Sequence, residues 1–350
     1  MMLKGILGDL MRRNQTGEKL MFHYYVALSF GVLPLLIGEK LKDMYLKPEV
    51  AARCYLEGNE IAREMFGEKI HLPSPTVPAI SYIHLSALGA SIQFPEDDGE
   101  PNARPAEFSS IDEAIERVER PVNFADCEWV IKRQDFAKKL SDIMGKNIAP
   151  SLGLEGPITT AALLYGNEFY AELIAEPEKS KRFLQAITDS IIEFTRFVKG
   201  SSDVGKSHGI CDDLSSLISP EMWPEFVLPF WNQIYEAFTN DRRNLHCENL
   251  TQRHLPLLNK VGLSFFDPSH APMLRPSMLK KHLEMPWQWR VQSVHVLEGF
   301  ERMRREIEEG AKNGATRIPL YACYIGDKCV SPEHVDFFIN TAEELGGKPS

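Results

Sequence analysis

The chain has 350 residues, 43% hydrophobic and 25% charged, which excludes a mainly disordered protein and exceeds what a minimal binding module needs. With 39 basic against 49 acidic residues the formal net charge is -10, and no basic patch interleaves with aromatics, so nucleic-acid binding is disfavoured. The six cysteines (Cys54, Cys127, Cys211, Cys247, Cys323 and Cys329) are scattered, unlike the dense framework of a disulfide-stapled secreted domain. Met1–Gly5 leads into a polar stretch rather than an apolar signal core. The apolar run Val26–Ile37 contains Gly31 and Pro34 and is too short to span a bilayer. The expectation is a cytoplasmic protein with no membrane partner.

Residues 1–46 read as an N-terminal helical extension. From Lys47 onward the chain alternates between helical and extended segments. Pro48 sits where a first helical turn tolerates it, and Ser110 with Glu113 has capping-box spacing ahead of a helix. Pro95–Pro101 is a polar loop. A helix over Asp135–Met144 leads into an extended segment at Asn147–Gly153, and apolar residues recur at helical spacing over Pro177–Val198. Short apolar runs then appear at Ser207–Cys211, Asn244–Cys247, Leu263–Phe266, Trp289–Val291 and Ile318–Tyr324, each separated from the next by a segment long enough for a helix. Repeated strand–helix units imply a parallel sheet, since parallel strands need crossovers. No Gly-rich phosphate turn follows the first strand, which counts against a dinucleotide-binding open sheet. The expected fold is α/β, a (β/α)8 TIM barrel formed by one domain over 1–350 with the 1–46 extension.

In such a barrel the chemistry lies at the carboxyl ends of the strands. There the sequence places His208 and Cys211-Asp212-Asp213, His246-Cys247-Glu248-Asn249, Asp267-Pro268-Ser269-His270, Arg290 with Gln292, and Cys323 with Asp327 and Cys329 beyond it. Each alone has an ordinary explanation: Asp212 as a helix cap, Asp267-Pro268 as a turn. Their recurrence at one place in the repeating unit marks a site. Residues two apart on a strand face the same way, so His246 and Glu248 pair while Cys247 turns to the core. His246 and Glu248, completed by Cys323 or, as the alternative third ligand, Cys329, form one arrangement for catalytic zinc. A His–Glu pair holding a polar substrate without metal is the other.

Several blocks resemble the uroporphyrinogen decarboxylase superfamily, which also contains the cobalamin-dependent methyltransferases. They are Ser86–Phe94, the Gly-Pro-Thr-like block Glu155–Gly166, and Asp212-Asp213 followed by Leu217–Trp223 and Phe226–Pro229. The resemblance implies the barrel fold. The decarboxylase branch carries an arginine-rich N-terminal motif that grips substrate carboxylates, whereas Met21–Ala27 here has no arginine. The methyltransferase branch holds zinc with a His-x-Cys pair and a later cysteine, which this resemblance maps onto His246, Glu248 in the first cysteine's place, and Cys323 or Cys329.

The resemblance therefore implies methyl transfer between methylcobalamin on a corrinoid carrier protein and a small acceptor. The acidic strand ends point to tetrahydrofolate as that acceptor, with His246, Glu248 and Asp212 as catalytic residues. Glu155, His208, Asp213, Asn249, Asp267 and Gln292 would line the substrate. The alternatives are zinc-dependent transfer to a thiol such as coenzyme M, a lyase related to the decarboxylase, and a tetrapyrrole-binding protein without turnover. A homodimer is compatible with all of these.

Overall fold

The computed structural model describes residues 21–96, 99–201, 204–325 and 328–350. Its strands are β1 (His23–Leu28), β2 (Ser91–Gln93), β3 (Asn102–Arg104), β4 (Gly205–Cys211), β5 (Thr239–His246), β6 (Phe265–Asp267), β7 (Arg317–Ala322), β8 (Tyr324–Ile325), β9 (Lys328–Cys329) and β10 (Lys348–Pro349). β4, β5 and β6 form one parallel sheet in that order, and β1 pairs in parallel with β7 on one side and β10 on the other. β2–β3 and β8–β9 are small antiparallel pairs.

The expected barrel is not formed: no sheet of the described residues closes on itself. Single bridges, Phe266 to Trp287, Gln288 to Arg317, Val291 to Leu320 and Ala27 to His71, are all that relate β6 to β7 and β1 to the segment after it. Proline explains much of the gap. Pro73, Pro75 and Pro78 follow His71, and each lacks a ladder donor; Pro150 likewise interrupts Asn147–Gly153, where a strand was expected. Asn147–Gly153 accordingly carries no strand, and Trp289–Val291 is reduced to bridges.

The supposed N-terminal extension also differs. Its residues 23–28 are β1, whose Tyr24, Val26 and Leu28 are buried with the period of two expected of a strand packed on one face. Residues 1–20 lie outside the described residues. The long helix Pro177–Lys199 buries Ser180, Phe183, Leu184, Ile187, Ile191 and Phe194, a stripe at helical spacing, and stops at left-handed Gly200. Ser110 caps its helix as read, accepting from the Glu113 N–H. No helix of the described residues is long and apolar enough to cross a membrane.

Candidate functional site around His246

Register assembles the site. Cys211 ends β4, His246 ends β5 and Asp267 ends β6, and these three residues are direct partners across the two ladders. In-register neighbours of a parallel sheet project to the same face, so one rung carries a thiol, an imidazole and a carboxylate. His246 Nδ1 lies 2.9 Å from Asp267 Oδ2, and its Nε2 lies 3.7 Å from Asp213 Oδ1 and 3.8 Å from Glu248 Oε1. The imidazole is therefore fixed at one nitrogen and turned toward two acidic groups with the other.

The carboxylates are themselves held. Asp267 accepts from the Ser269 N–H through Oδ1 and from Arg290 Nη2 through Oδ2, at 2.8 and 3.2 Å. Asp213 Oδ1 accepts the Glu248 N–H at 2.9 Å, and Glu248 Oε1 lies 3.4 Å from the His270 N–H. Asn249 and Ser269 adopt the left-handed backbone region, at φ 57° and 43°, so the chain turns sharply just after both strand ends. The Asn249 N–H donates to the His270 carbonyl, and Gln292 Nε2 donates to the Ser269 carbonyl, tying the two turns to their neighbours.

Burial works against a charged His246. The hydrogen bond and charge of Asp267, with Asp213 and Glu248, outweigh it and lift the imidazole above the ordinary histidine value. For Asp267, burial is overcome by His246 and Arg290, and its carboxyl falls below the usual range. Glu155 behaves oppositely: burial, reinforced by Asp213 and Asp212 and resisted by a hydrogen bond from Ser81, pushes its carboxyl to about 8. At neutral pH this residue is a protonated, neutral member of the acidic group.

Asp212 was expected to be catalytic, and the structure gives it different work. It is fully buried, and its carboxylate accepts the N–H groups of Ile158 and Thr159 and the indole N–H of Trp231 at 3.3, 2.7 and 2.6 Å. It thus caps the helix Pro157–Tyr165 from a strand more than fifty residues away in sequence, which an oxygen at a helix N-terminus does well. Gly156 has to be glycine for this contact, since a Cβ there would stand 2.5 Å from Asp212 Cβ.

His208 does not join the rung either. It lies three residues before Cys211, on the opposite face of β4, and packs against Phe238 with ring centroids 4.9 Å apart. Burial, then Lys199, lowers its imidazole to about 4, so it is a neutral packing residue. Cys247 is buried in the core as read, against Ser215 Oγ and the Asp212 carbonyl. Cys323 donates to Ser293 Oγ at 3.0 Å, and Cys329 and Asp327 lie outside the residues whose side chains are described.

The ligand-type atoms that gather most closely are those of Cys211, Asp213 and His246, all within 4.8 Å of one another. Cys211 was read at a strand end but given no role, because its place beside His246 depends on cross-strand register, which its own sequence neighbourhood does not show. Arg290 and Tyr321 were likewise read near strand ends without a role, and Tyr25 was given none. The Arg290 guanidinium lies over the Tyr321 ring at 4.5 Å, and the Tyr321 hydroxyl meets that of Tyr25 at 2.8 Å. These residues continue the polar row from Asp267 across to β7 and β1. Beyond Tyr321, between the ends of β1 and β7, opens a cavity of about 640 Å³ walled by Leu28, Phe30, Val77, Pro78 and Pro150.

The sequence profile described as Uroporphyrinogen decarboxylase (URO-D) matches residues 38–345, most of the chain. The chain belongs to the uroporphyrinogen decarboxylase family. Among solved structures it shares its fold with a methyltransferase from Methanosarcina mazei, at 15% identity and TM-score 0.64 over 94% of each chain. A B12-independent methionine synthase from Shewanella sp. W3-18-1 overlaps more loosely, at 12% identity and TM-score 0.42 over 94% of this chain and 97% of that one. No curated protein matches the sequence. Met21–Ala27, which carries no arginine, lies ahead of the matched residues and runs into β1, with Tyr24 buried and Tyr25 bonded to Tyr321.

Proposed function

We propose that this protein moves a methyl group between a methylated corrinoid, carried on a partner protein, and a small acceptor, and that the acceptor is a tetrahydrofolate. The observation that carries the reading is His246, fixed at Nδ1 by Asp267 and facing Asp213 and Glu248 with Nε2. A pterin presents an amino group beside ring N–H groups, and carboxylates accept such neighbouring donors. The fold shared with a methyltransferase supports the reaction class, and the mainly apolar cavity beside Tyr321 offers a wall for a broad, flat macrocycle.

When bound, methylcobalamin supplies an electrophilic methyl group. Asp213 and Glu248 would orient the acceptor, and His246 Nε2 would take the proton that the acceptor nitrogen gives up in exchange for the methyl group, whose former bonding pair would stay with the corrinoid. Asp267 then stabilises the imidazolium, as a buried carboxylate behind a histidine does. Glu155, neutral below about pH 8, lessens repulsion among the acidic groups.

A second reading, methyl transfer to a thiol, is favoured by the cluster of Cys211, Asp213 and His246. Sulfur, oxygen and nitrogen from three residues match the donor set of catalytic zinc, and Asp267 behind the histidine is the customary support. Those three residues would hold the ion, whose role would be to keep the acceptor sulfur as thiolate at neutral pH. Demethylation of methylcobalamin is the test, with tetrahydrofolate and with 2-mercaptoethanesulfonate as acceptors and metal content measured on the same sample. Tetrahydrofolate-dependent demethylation is expected without stoichiometric metal. Zinc at about one per chain with turnover only on the thiol would overturn the pterin reading.

A further inference from the structure

A second, smaller cavity of about 150 Å³ is walled in part by the loop that follows Asp267. Its lining includes Ser269, Arg275, Arg290, His295, Arg302 and Glu306. Three buried nitrogens along it have no hydrogen-bond partner: Arg290 Nε, His295 Nδ1 and Arg302 Nε. The nearest carboxylates do not satisfy two of them. Arg302 Nε stands 3.8 Å from Glu298 Oε2, and His295 Nδ1 stands 3.9 Å from Glu306 Oε1. Buried polar groups in folded proteins are almost always partnered, so three orphans around one cavity mark a place where acceptor oxygens are missing.

Charge agrees with this. Arg290 is partly neutralised by Asp267, and Arg302 by Glu306 at 2.8 Å, while Arg275 hydrogen-bonds only the Pro272 and Leu274 carbonyls and forms no ion pair among the described residues. The lining is therefore cationic in a molecule whose net charge is -10. The volume equals the share of about five water molecules, room for a carboxylate, sulfonate or phosphate head and little more. The cavity also communicates with the site through the chain: Arg290 reaches Asp267, Ser269 N–H donates to Asp267, and Gln292 holds the Ser269 carbonyl.

We propose that this cavity is an oxyanion subsite that takes the acidic group of the methyl acceptor. The acceptor is then a small molecule with a nucleophilic end at His246 and a carboxylate, sulfonate or phosphate at the arginines. The assignment to the acceptor rests on the methyl-transfer reading above; the anion site itself does not.

The test is calorimetric titration of the full chain with 4-aminobenzoyl-glutamate, 2-mercaptoethanesulfonate, inorganic phosphate and the neutral 2-mercaptoethanol. The same titrations are run on Arg275→Gln and Arg302→Gln. At least one anion binds saturably, both variants weaken it about tenfold or more, and 2-mercaptoethanol does not compete. The preferred anion distinguishes a carboxylate-bearing from a sulfonate-bearing acceptor. Arg275 is exposed, so its variant keeps the fold even if Arg302→Gln loses it. No anion binding at roughly 10 mM, or equal affinity in Arg275→Gln, overturns the subsite. In methylcobalamin demethylation the variants raise KM and spare kcat. Unchanged KM would remove the subsite and leave methyl transfer standing, whereas anion binding without demethylation by any acceptor would remove methyl transfer and leave the subsite standing.

Discussion

At His246 two opposing effects meet: burial, which discharges an imidazole, and Asp267 with Asp213 and Glu248, which hold its proton. The second wins, so a base at this position is released only above the ordinary histidine range near ~6.5. The acidic limb of the kcat/KM profile for demethylation therefore has its midpoint above that value. Asp267→Asn keeps a hydrogen-bond acceptor but loses the charge, so it moves the limb to lower pH. Because it also loosens the orientation of the ring, it lowers kcat roughly 10- to 100-fold. A pH profile of the variant that superimposes on the wild type would separate Asp267 from the chemistry. The His246–Glu248 pairing was legible in sequence because two-residue spacing is local. Cys211 and Arg290 were read at strand ends but not as its neighbours, since what sets Cys211 beside His246 and Arg290 against Asp267 is pairing between segments far apart in the chain.

Among the elements, the contact between β4 and the helix Pro157–Tyr165 carries the site. The Asp212 carboxylate holds the helix N-terminus, and the Gly156 N–H donates to the Cys211 carbonyl at 2.6 Å. Gly156→Ala forces a Cβ into Asp212 and costs about 2–3 kcal/mol or more, measured by urea unfolding. Trp231→Phe deletes one donor to a buried charge and costs about 1.5–3 kcal/mol in the same measurement. Stability equal to wild type in both would show that the clamp is not what secures the helix. The sequence marked the ends of β4, β5 and β6 because apolar runs there stop at polar residues. It misplaced β1, whose apolar residues run on into Val32–Leu36 as one stretch, and it overestimated Asn147–Gly153, where apolar composition suggested a strand and Pro150 denied it one.

For the whole molecule, the strand–helix alternation was legible and closure of the sheet was not. Alternation is written in local periodicity, whereas closure requires every segment to supply ladder donors, and the proline-rich stretch after His71 does not. A buried acid in this frame also ties global stability to pH. The Glu155 carboxyl is raised from 4.5 unfolded to about 8 folded, so its contribution is fully present below pH 4.5 and is lost as pH rises toward 8. Glu155→Gln removes that loss. Relative to wild type it gains on the order of 4 kcal/mol at pH 8 and nothing near pH 4.5, read from denaturant midpoints at the two values. A difference independent of pH would mean that folding leaves the Glu155 carboxyl at its unfolded value.

The central claim is that methyl transfer runs through His246 as Asp267 orients it. Steady-state demethylation of methylcobalamin, with saturating tetrahydrofolate, by wild type and by His246→Ala of equal thermal stability tests it most directly. A loss of about 10²-fold or more in kcat is the expected result. Full activity in His246→Ala would contradict the account.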